Sequence, residues 1–537
     1  MKGTIYIAII YIAMAKKENC FKLRKTSRSI ICLCLISVMA IASGLQGCGR
    51  DRAEDILGDA DQELRSTLYA VLDIPRSGEN YPEQIDDYIV GRIKSAGLAV
   101  SKDKSGNVKA ELPAAPGHEG DPLVILHCWT GMEPSVAGNT VFDEDTDGIT
   151  PAYDAKTGLI RGKGVSMGAG SALGVSTLLH VIEKRGNTGP ARVIFSAGTG
   201  EDMGSLGKLN SKWLSGCSIF INVDAGQTGD IYTGSAAAAL MGCDQTLTTA
   251  AVENKRAYVL AATGFPSRES NFNGSLRELN PLKALTDILT DAAGAGVVYE
   301  LCSLTSIGKQ FHMPEEATAV LVVGEYEQRR FRTIFDGISS NLTNDIKKSA
   351  PDAKIEMIET ALPETAVSKT DTSRVITYLS GIMDAGFARG SATGAAINVD
   401  DVEIRPDKFH CDISILGRDR LSARKLMRDQ AAIAGLSNLT VNEIAAYPGY
   451  DSSSENETYS KLSGIYEKLL GKKPAWVMMP YASPLGGLAD AHPGMNVISL
   501  GITAHNEGSP NEGLDIKELS MPAEAITALL SETPTAN

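Results

Sequence analysis

Four short, almost wholly apolar runs constrain the fold of this chain more than any other feature. They read "PLVILHCW", "ARVIFS", "CSIFINV" and "MNVISLGIT". Apolar runs of this length without polar alternation are typical of strands buried on both faces of a sheet. Because amphipathic or apolar helical segments lie between them, the sequence predicts an α/β fold with a mainly parallel sheet flanked by helices. Binding sites in such sheets lie beyond the carboxyl ends of the strands.

The alternation of apolar runs and helical segments ends after about residue 238 and resumes after about residue 444. The middle stretch contains "KFHCDISILGRDRLSARKLMRDQAAIAG", which indicates a strand followed by a helix. A chain of 537 residues is too long for one ordinary domain. We therefore expect a main domain built from residues 49–237 and 445–537, interrupted by a smaller α+β domain over residues 238–444.

The first 48 residues have the pattern of an export signal. A lysine- and arginine-rich segment precedes the apolar run Ile30–Gly44, and "LQGC" ends at Cys48. This order is typical of a secretory signal peptide, and Leu-x-Gly-Cys resembles a bacterial lipobox. We expect a lipid on Cys48 and a location in the bacterial cell envelope, facing outside the cytoplasm. The alternative is an ordinary signal anchor with a chance cysteine. A start at Met14 instead of Met1 would leave a signal peptide of ordinary length.

Charge and cysteine content exclude several classes of protein. The net charge of −14 argues against a nucleic-acid-binding protein, which needs a basic surface. Beyond Cys48 the chain has five scattered cysteines and no C-x-x-C motif, which argues against a zinc ribbon or a redox motif. A single disulfide is compatible with export, but the sequence does not indicate which cysteines it would join.

Several longer stretches together resemble the aminoacyl-histidine dipeptidases, a family of two-zinc peptidases related to carnosinase. They are "DDYIVGRIKSAGLAVSKDKSGNV", "RGKGVSMGAGSALGV", "GEDMGSLGKL", "INVDAGQTGDIYTG", "AAYPGY" and "GSPNEGLDIKEL". The resemblance implies that residues 49–237 and 445–537 form a zinc-peptidase-like domain. It also implies that residues 238–444 form a lid or dimerisation domain, and that the protein is a homodimer.

In that family a carboxylate bridges two zinc ions, histidines and carboxylates complete the metal sites, and a glutamate acts as general base. At the matched positions this chain departs from the pattern. Trp129 stands at the first histidine, Gly170 at the bridging aspartate and Gly200 at the general base. Gly131 and Gly508 replace a further aspartate and histidine. The resemblance therefore identifies a divergent member that lacks most of its metal ligands.

Two metal-ligand positions keep their carboxylates, Glu201 and Asp224. We interpret them as vestigial ligands and His505, three residues before Gly508, as a third candidate ligand. His127 takes a ligand position if the alignment shifts by two residues. Two carboxylates alone hold zinc weakly. We expect no catalytic residue, no cofactor and no hydrolysis, and a fold retained for binding peptides or small molecules. The alternative is an active dipeptidase with a rearranged zinc site.

Overall fold

The structure is a computed structural model of the chain that describes residues 59–78, 81–200, 202–266, 280–385, 394–452 and 457–532. The predicted signal peptide over residues 1–48, its Cys48, and Glu201 lie outside the described residues. Within those ranges, no helix is both long and apolar enough to cross a membrane.

Ten α-helices are present in the described part of the chain. In order they are α1 (Asp59–Leu72), α2 (Tyr81–Ser95), α3 (Ala169–Lys184), α4 (Pro281–Gly294), α5 (Gln328–Ile346), α6 (Lys369–Ala385), α7 (Arg420–Leu436), α8 (Glu457–Leu470), α9 (Pro484–Ala491) and α10 (Met521–Ser531).

The strands before the predicted insertion and into it are β1 (Val100–Lys102), β2 (Val108–Leu112), β3 (Val124–Trp129), β4 (Pro151–Asp154), β5 (Leu159–Gly162), β6 (Ala191–Ser196), β7 (Ile219–Val223), β8 (Asp230–Thr246), β9 (Thr249–Ala251), β10 (Lys255–Thr263), β11 (Tyr299–Ile307) and β12 (Ala317–Gly324). The later strands are β13 (Lys354–Thr360), β14 (Thr365–Val367), β15 (Ala395–Arg405), β16 (Lys408–Gly417), β17 (Asn442–Tyr447), β18 (Tyr450–Asp451), β19 (Ala475–Ala482), β20 (Asn496–Leu500), β21 (Ala504–His505) and β22 (Gly513–Asp515).

One large mixed sheet organises the described chain. Its strand order is β1-β2-β6-β3-β7-β20-β8-β16-β15-β11-β12-β10-β13, and β17, β18 and β19 also pair with β8. The four apolar runs form β3, β6, β7 and β20, which pair in parallel with one another. Strand β3 is buried at all six positions and β7 at all five, as its apolar composition predicts.

The α/β class with helices flanking a sheet is confirmed, but parallel pairing is less extensive than the sequence predicts. Apart from the β19–β8 pair, the strands from β8 to β13 pair antiparallel. Helical crossovers are needed only between parallel neighbours, whereas short turns join antiparallel ones. The apolar pattern of a single strand does not show which strands it pairs with. The sequence therefore does not indicate that the middle stretch extends the same sheet.

The long strand β8 runs through the predicted boundary at residue 237. Its first part pairs with β18, β19 and β20, and its second part pairs with β16 and β17. Most buried apolar side chains between residues 237 and 439 form one core, to which helices α4, α5, α6 and α7 contribute. The predicted domain boundaries remain predictions.

A bulge in strand β15 buries a carboxyl group inside this part of the sheet. Asp400 is the extra residue where the β15–β16 register shifts, and it is 3% exposed. Ser414 Oγ and Asn398 Nδ2 each donate to Asp400 Oδ1 over 2.7 Å, while Oδ2 has no partner among the described residues. Burial raises the pKa of Asp400 to about 7.

Candidate functional site

The positions that the family resemblance assigns to the bridging ligand and the general base, Gly170 and Gly200, both lie beside the metal-ligand position Asp224. Asp224 directly follows β7, Gly200 lies in the loop after β6, and Gly170 is in the first turn of α3. A Cβ atom added to Gly170 would lie 1.7 Å from Asp224 Oδ1, and one added to Gly200 would lie 3.7 Å from Asp224 Oδ2. The loops thus converge as the parallel strand ends predict.

The indole of Trp129 occupies the position of the family's first histidine. It is 3% exposed, and a Cβ atom added to Gly200 would lie 3.2 Å from Trp129 Nε1. The ring packs edge-on against His127, with the ring centres 4.6 Å apart. An indole offers an N–H donor and no lone pair in the ring plane, so it cannot replace a histidine as a zinc ligand.

The next motif position, Gly131, has no room for a side chain. A Cβ atom there would lie 2.5 Å from the hydroxyl oxygen of Tyr81 and 2.9 Å from the carbonyl oxygen of Gly198. The same tyrosine hydroxyl accepts a hydrogen bond from Gly198 N over 2.7 Å. Local packing therefore excludes an aspartate at residue 131 unless Tyr81 moves.

The Asp224 carboxylate is oriented by hydrogen bonds from residues close to it in the chain. Its carboxylate accepts a hydrogen bond from Ala225 N over 2.8 Å and is also hydrogen-bonded by the Asn222 side chain. Burial, together with the nearby Glu512, raises the pKa of Asp224 to about 6. No cationic group contributes to this shift. The carboxylate is therefore oriented by amide donors and is poorly stabilised in its charged form.

The amino end of α3, where the family places its bridging ligand, is held by a buried carboxylate. The preceding Gly168 has a φ of 58°, in the left-handed region that favours glycine, and caps the helix without a side chain. Glu512 Oε2 accepts hydrogen bonds from Met167 N over 2.7 Å and from Ala169 N over 3.3 Å. A carboxylate at a helix amino end satisfies free N–H groups and interacts favourably with the helix dipole.

Arg76 supports the same turn from the other side. Its guanidinium, which is 2% exposed, donates to Ser171 Oγ over 2.6 Å and to the carbonyl oxygen of Met167 over 2.5 Å. Burial lowers its pKa to about 10, opposed by the nearby Glu512. The sequence analysis missed Arg76 and Glu512, because no local pattern shows that a charged residue in a loop will be buried.

His127 belongs to a hydrogen-bond chain within the sheet. Its Nδ1 lies 2.7 Å from Asn222 Oδ1 and its Nε2 lies 2.9 Å from Ser196 Oγ, while Asn222 Nδ2 donates to Ser499 Oγ over 3.1 Å. Since Asn222 Oδ1 accepts, Nδ1 carries the proton and Nε2 accepts from Ser196. Burial lowers the pKa of His127 to about 4. Both ring nitrogens are engaged, so the shifted alignment that makes His127 a ligand is not supported.

The remaining candidates are dispersed. His505 is exposed in β21, where it pairs with Gly513 of β22. Gly508, at the family's last histidine, is exposed, and its N–H donates to Glu512 Oε1 over 3.3 Å. Of the acidic residues in the surrounding loops, Glu133 forms an ion pair with Lys309 over 2.5 Å.

The described residues around Asp224 do not fit a two-zinc site. Among the described residues, no group of three or more histidine, cysteine, aspartate or glutamate side chains could hold a metal ion. An indole stands at one ligand position, and Asp224 Oδ1 lies where a side chain at residue 170 would begin. Zinc sites take three or four protein ligands in close tetrahedral arrangement. We therefore derive no catalytic step through a metal.

Comparisons with known proteins agree with the fold and with the sequence resemblance. No family model matches the chain. Cytosol non-specific dipeptidase from Escherichia coli (strain K12) is 24% identical over 468 residues, which cover 84% of this chain and 94% of that protein.

Solved structures of peptidases are also similar in fold to this chain. Aminoacylhistidine dipeptidase from Vibrio alginolyticus matches with a TM-score of 0.68 and 22% identity, over 90% of this chain and 98% of that chain. A tripeptidase from Staphylococcus aureus subsp. aureus mu50 matches with a TM-score of 0.53 and 12% identity, over 88% and 98% of the two chains. The resemblance to the aminoacyl-histidine dipeptidases is thus confirmed: this chain has a homologue among the dipeptidases and shares their fold.

Proposed function

We propose that this chain is an exported, lipid-anchored protein with a dipeptidase fold that does not hydrolyse peptides and instead binds peptides or small molecules. The observation that carries the proposal is the environment of Asp224. The backbone positions that would place a bridging ligand and a general base beside it are Gly170 and Gly200. The adjacent ligand position is the buried Trp129.

Side chains are missing at several positions of the matched metal site at once, and this joint loss supports inactivity. A single missing ligand is easily replaced by a neighbouring acid or by water. Here the bridging position, the general base and both histidine positions lack a suitable side chain, and packing against Tyr81 excludes a side chain at Gly131 without rearrangement. The surrounding turn is nevertheless still held by Arg76 and Glu512. The turn is thus retained although the metal-binding side chains are absent, which favours a binding role over a catalytic one.

The alternative is a metallopeptidase with a rearranged site. It would use Glu201, Asp224 and His505 to hold zinc, and its substrates would be short peptides like those named for its relatives. The exposed position of His505 provides one observation in its favour, because an exposed imidazole is accessible to a metal. Two carboxylates and one histidine would be the minimum ligand set for a catalytic zinc.

Hydrolysis of a panel of dipeptides, with and without added zinc, tests the proposal. The dipeptidase from E. coli, assayed in parallel, is the positive control. The proposal predicts no turnover by this protein and a rise in its melting temperature with some of the peptides. Chelator-sensitive hydrolysis that is lost in Glu201→Ala and Asp224→Asn, but not in the neighbouring control Asp202→Asn, would establish the alternative.

A further inference from the structure

Cys243 and Cys411 lie directly opposite each other on two paired strands. Cys243 is in β8 and Cys411 is in β16, and the antiparallel register places them as Cα partners. Opposite residues in an antiparallel pair share one face of the sheet, with Cα atoms about 4.5–5.5 Å apart. A disulfide requires Cα atoms about 4.4–6.8 Å apart. The backbone therefore already meets the main geometric requirement for a bond between them.

The two thiols also share one apolar compartment. Both side chains are fully buried and belong to the same core, beside Tyr378 of α6. Burial raises the pKa of Cys243 to about 11 and raises the pKa of Cys411 as well, and the nearby Cys243 further disfavours ionisation of Cys411. The Tyr378 hydroxyl interacts with both. Neither side chain therefore turns away from its partner into solvent.

The other three cysteines in the described chain have no such relation. Cys128 of β3 pairs with Phe195 of β6, and Cys302 lies where the register between β11 and β12 shifts. Cys217 lies in the segment before β7, outside any strand. The register thus singles out one pair from five cysteines whose spacing in the sequence left the pairing open.

We propose that Cys243 and Cys411 form a disulfide when the chain folds in an oxidising compartment. The thiolate of one cysteine attacks a disulfide oxidant and forms a mixed disulfide, and the second cysteine then displaces the oxidant. The two cysteines lose two protons and two electrons in forming the S–S bond, and the oxidant's disulfide is reduced to two thiols. Because both sulfur atoms are buried in the folded chain, the exchange takes place before the core closes, and the finished bond is then shielded from reductants.

The position of the bond indicates its effect. Strand β8 leads into the inserted segment and β16 is one of the last strands of that segment, so the bond ties the two ends of most of the insertion together. It lies in a different apolar core from Trp129, and so does not depend on the proposed binding function. It does require an oxidant during folding, which export from the cytoplasm would provide.

Alkylation mapping of the full chain tests the pairing. The protein is folded in a glutathione disulfide buffer, denatured without reductant, alkylated and digested. We expect Cys128, Cys217 and Cys302 to be alkylated and one peptide pair to contain Cys243 joined to Cys411, separating on reduction. Alkylation of both Cys243 and Cys411 before reduction would overturn the proposal, as would a bond from either of them to another cysteine.

Variants give an independent measurement. Wild-type protein and the matched control Cys302→Ala should lose melting temperature when reductant is present during unfolding. The double variant Cys243→Ala, Cys411→Ala should melt at one temperature with or without reductant. A reductant-dependent shift that persists in the double variant contradicts the assignment. If the double variant does not fold, the wild-type map alone decides.

Discussion

Replacing Gly170 by aspartate puts back the carboxylate that the family uses as a bridge, and we expect it to destabilise the protein without creating a metal site. The new Cβ atom would lie 1.7 Å from Asp224 Oδ1, so the Asp224 carboxylate must rotate away and give up its hydrogen bond from Ala225 N. A displaced side chain costs about 0.5–1.5 kcal/mol, and a hydrogen bond to a charged group contributes about 1.5–3 kcal/mol.

Repulsion between the new carboxylate at residue 170 and that of Asp224 adds a smaller loss of stability. Two carboxylates about 4 Å apart repel by about 4 kcal/mol at an effective dielectric constant of about 20. The protein can avoid this cost by protonating Asp224, whose pKa is already about 6. At pH 7 that protonation costs about 1.4 kcal/mol, so it sets the upper limit of the charge contribution. An aspartate in the first turn of α3 recovers about 0.5 kcal/mol from the helix dipole. We expect a total loss of about 2–5 kcal/mol.

Urea unfolding of Gly170→Asp, with Gly170→Asn as the uncharged control of equal size, separates the two contributions. Asparagine should show the steric loss alone at every pH. The aspartate variant should be less stable than the asparagine variant by about 1 kcal/mol at pH 7, and this difference should vanish near pH 5, where Asp224 is protonated in the folded state. A Gly170→Asp variant that is stabilised by added zinc would refute the reasoning, because it would mean that the remaining ligands still converge.

Two further outcomes follow from the described contacts, and a third follows from the sequence pattern at Cys48. The folded-state pKa of Asp400, about 7, lies above its unfolded value, so the contribution of this carboxyl group to stability falls by up to about 4 kcal/mol as pH rises from about 4 to 7. The difference in unfolding free energy between the wild type and Asp400→Asn, measured in urea, should therefore change in the variant's favour between pH 5 and pH 8. His127→Leu should lower the free energy of unfolding by about 2–4 kcal/mol at pH 7 in urea titrations, because Asn222 and Ser196 each lose a buried partner. The contribution of His127 to stability is lost as pH falls from about 6.5 to 4, so the difference between wild type and variant should shrink over that interval. Cys48→Ala should move the protein from the membrane fraction to the soluble fraction, and an unchanged fractionation would contradict the lipid anchor.

The sequence predicted the central part of the fold well because its signal is local. The runs that form β3, β6, β7 and β20 are buried on both faces, and burial on both faces is visible as an unbroken apolar run. The antiparallel continuation through β8 is less visible, since it depends on which strands pair and not on the composition of any one strand. Register, which places Cys243 opposite Cys411, is likewise a property of two distant segments.

The candidate site was likewise predictable only where the sequence carries a local signal. Matching motifs located Gly170, Gly200 and Asp224, and the structure brings them together. The motifs could not show that Tyr81 fills the space beside Gly131, or that Arg76 is buried behind α3. Those contacts join residues far apart in the chain, and their residue types carry no local signal. The predicted ligands Glu201 and His505 remain predictions.

The zinc content of the purified wild-type protein distinguishes a binding protein from a metallopeptidase. The protein is dialysed against buffer containing micromolar zinc, freed of unbound metal and analysed by elemental mass spectrometry, with the dipeptidase from E. coli treated in the same way. Because Trp129 and Gly170 stand at ligand positions beside Asp224 and provide no ligand, we predict that this protein retains no stoichiometric zinc. Two zinc ions per chain, retained through dialysis, would contradict it and would establish the metallopeptidase alternative.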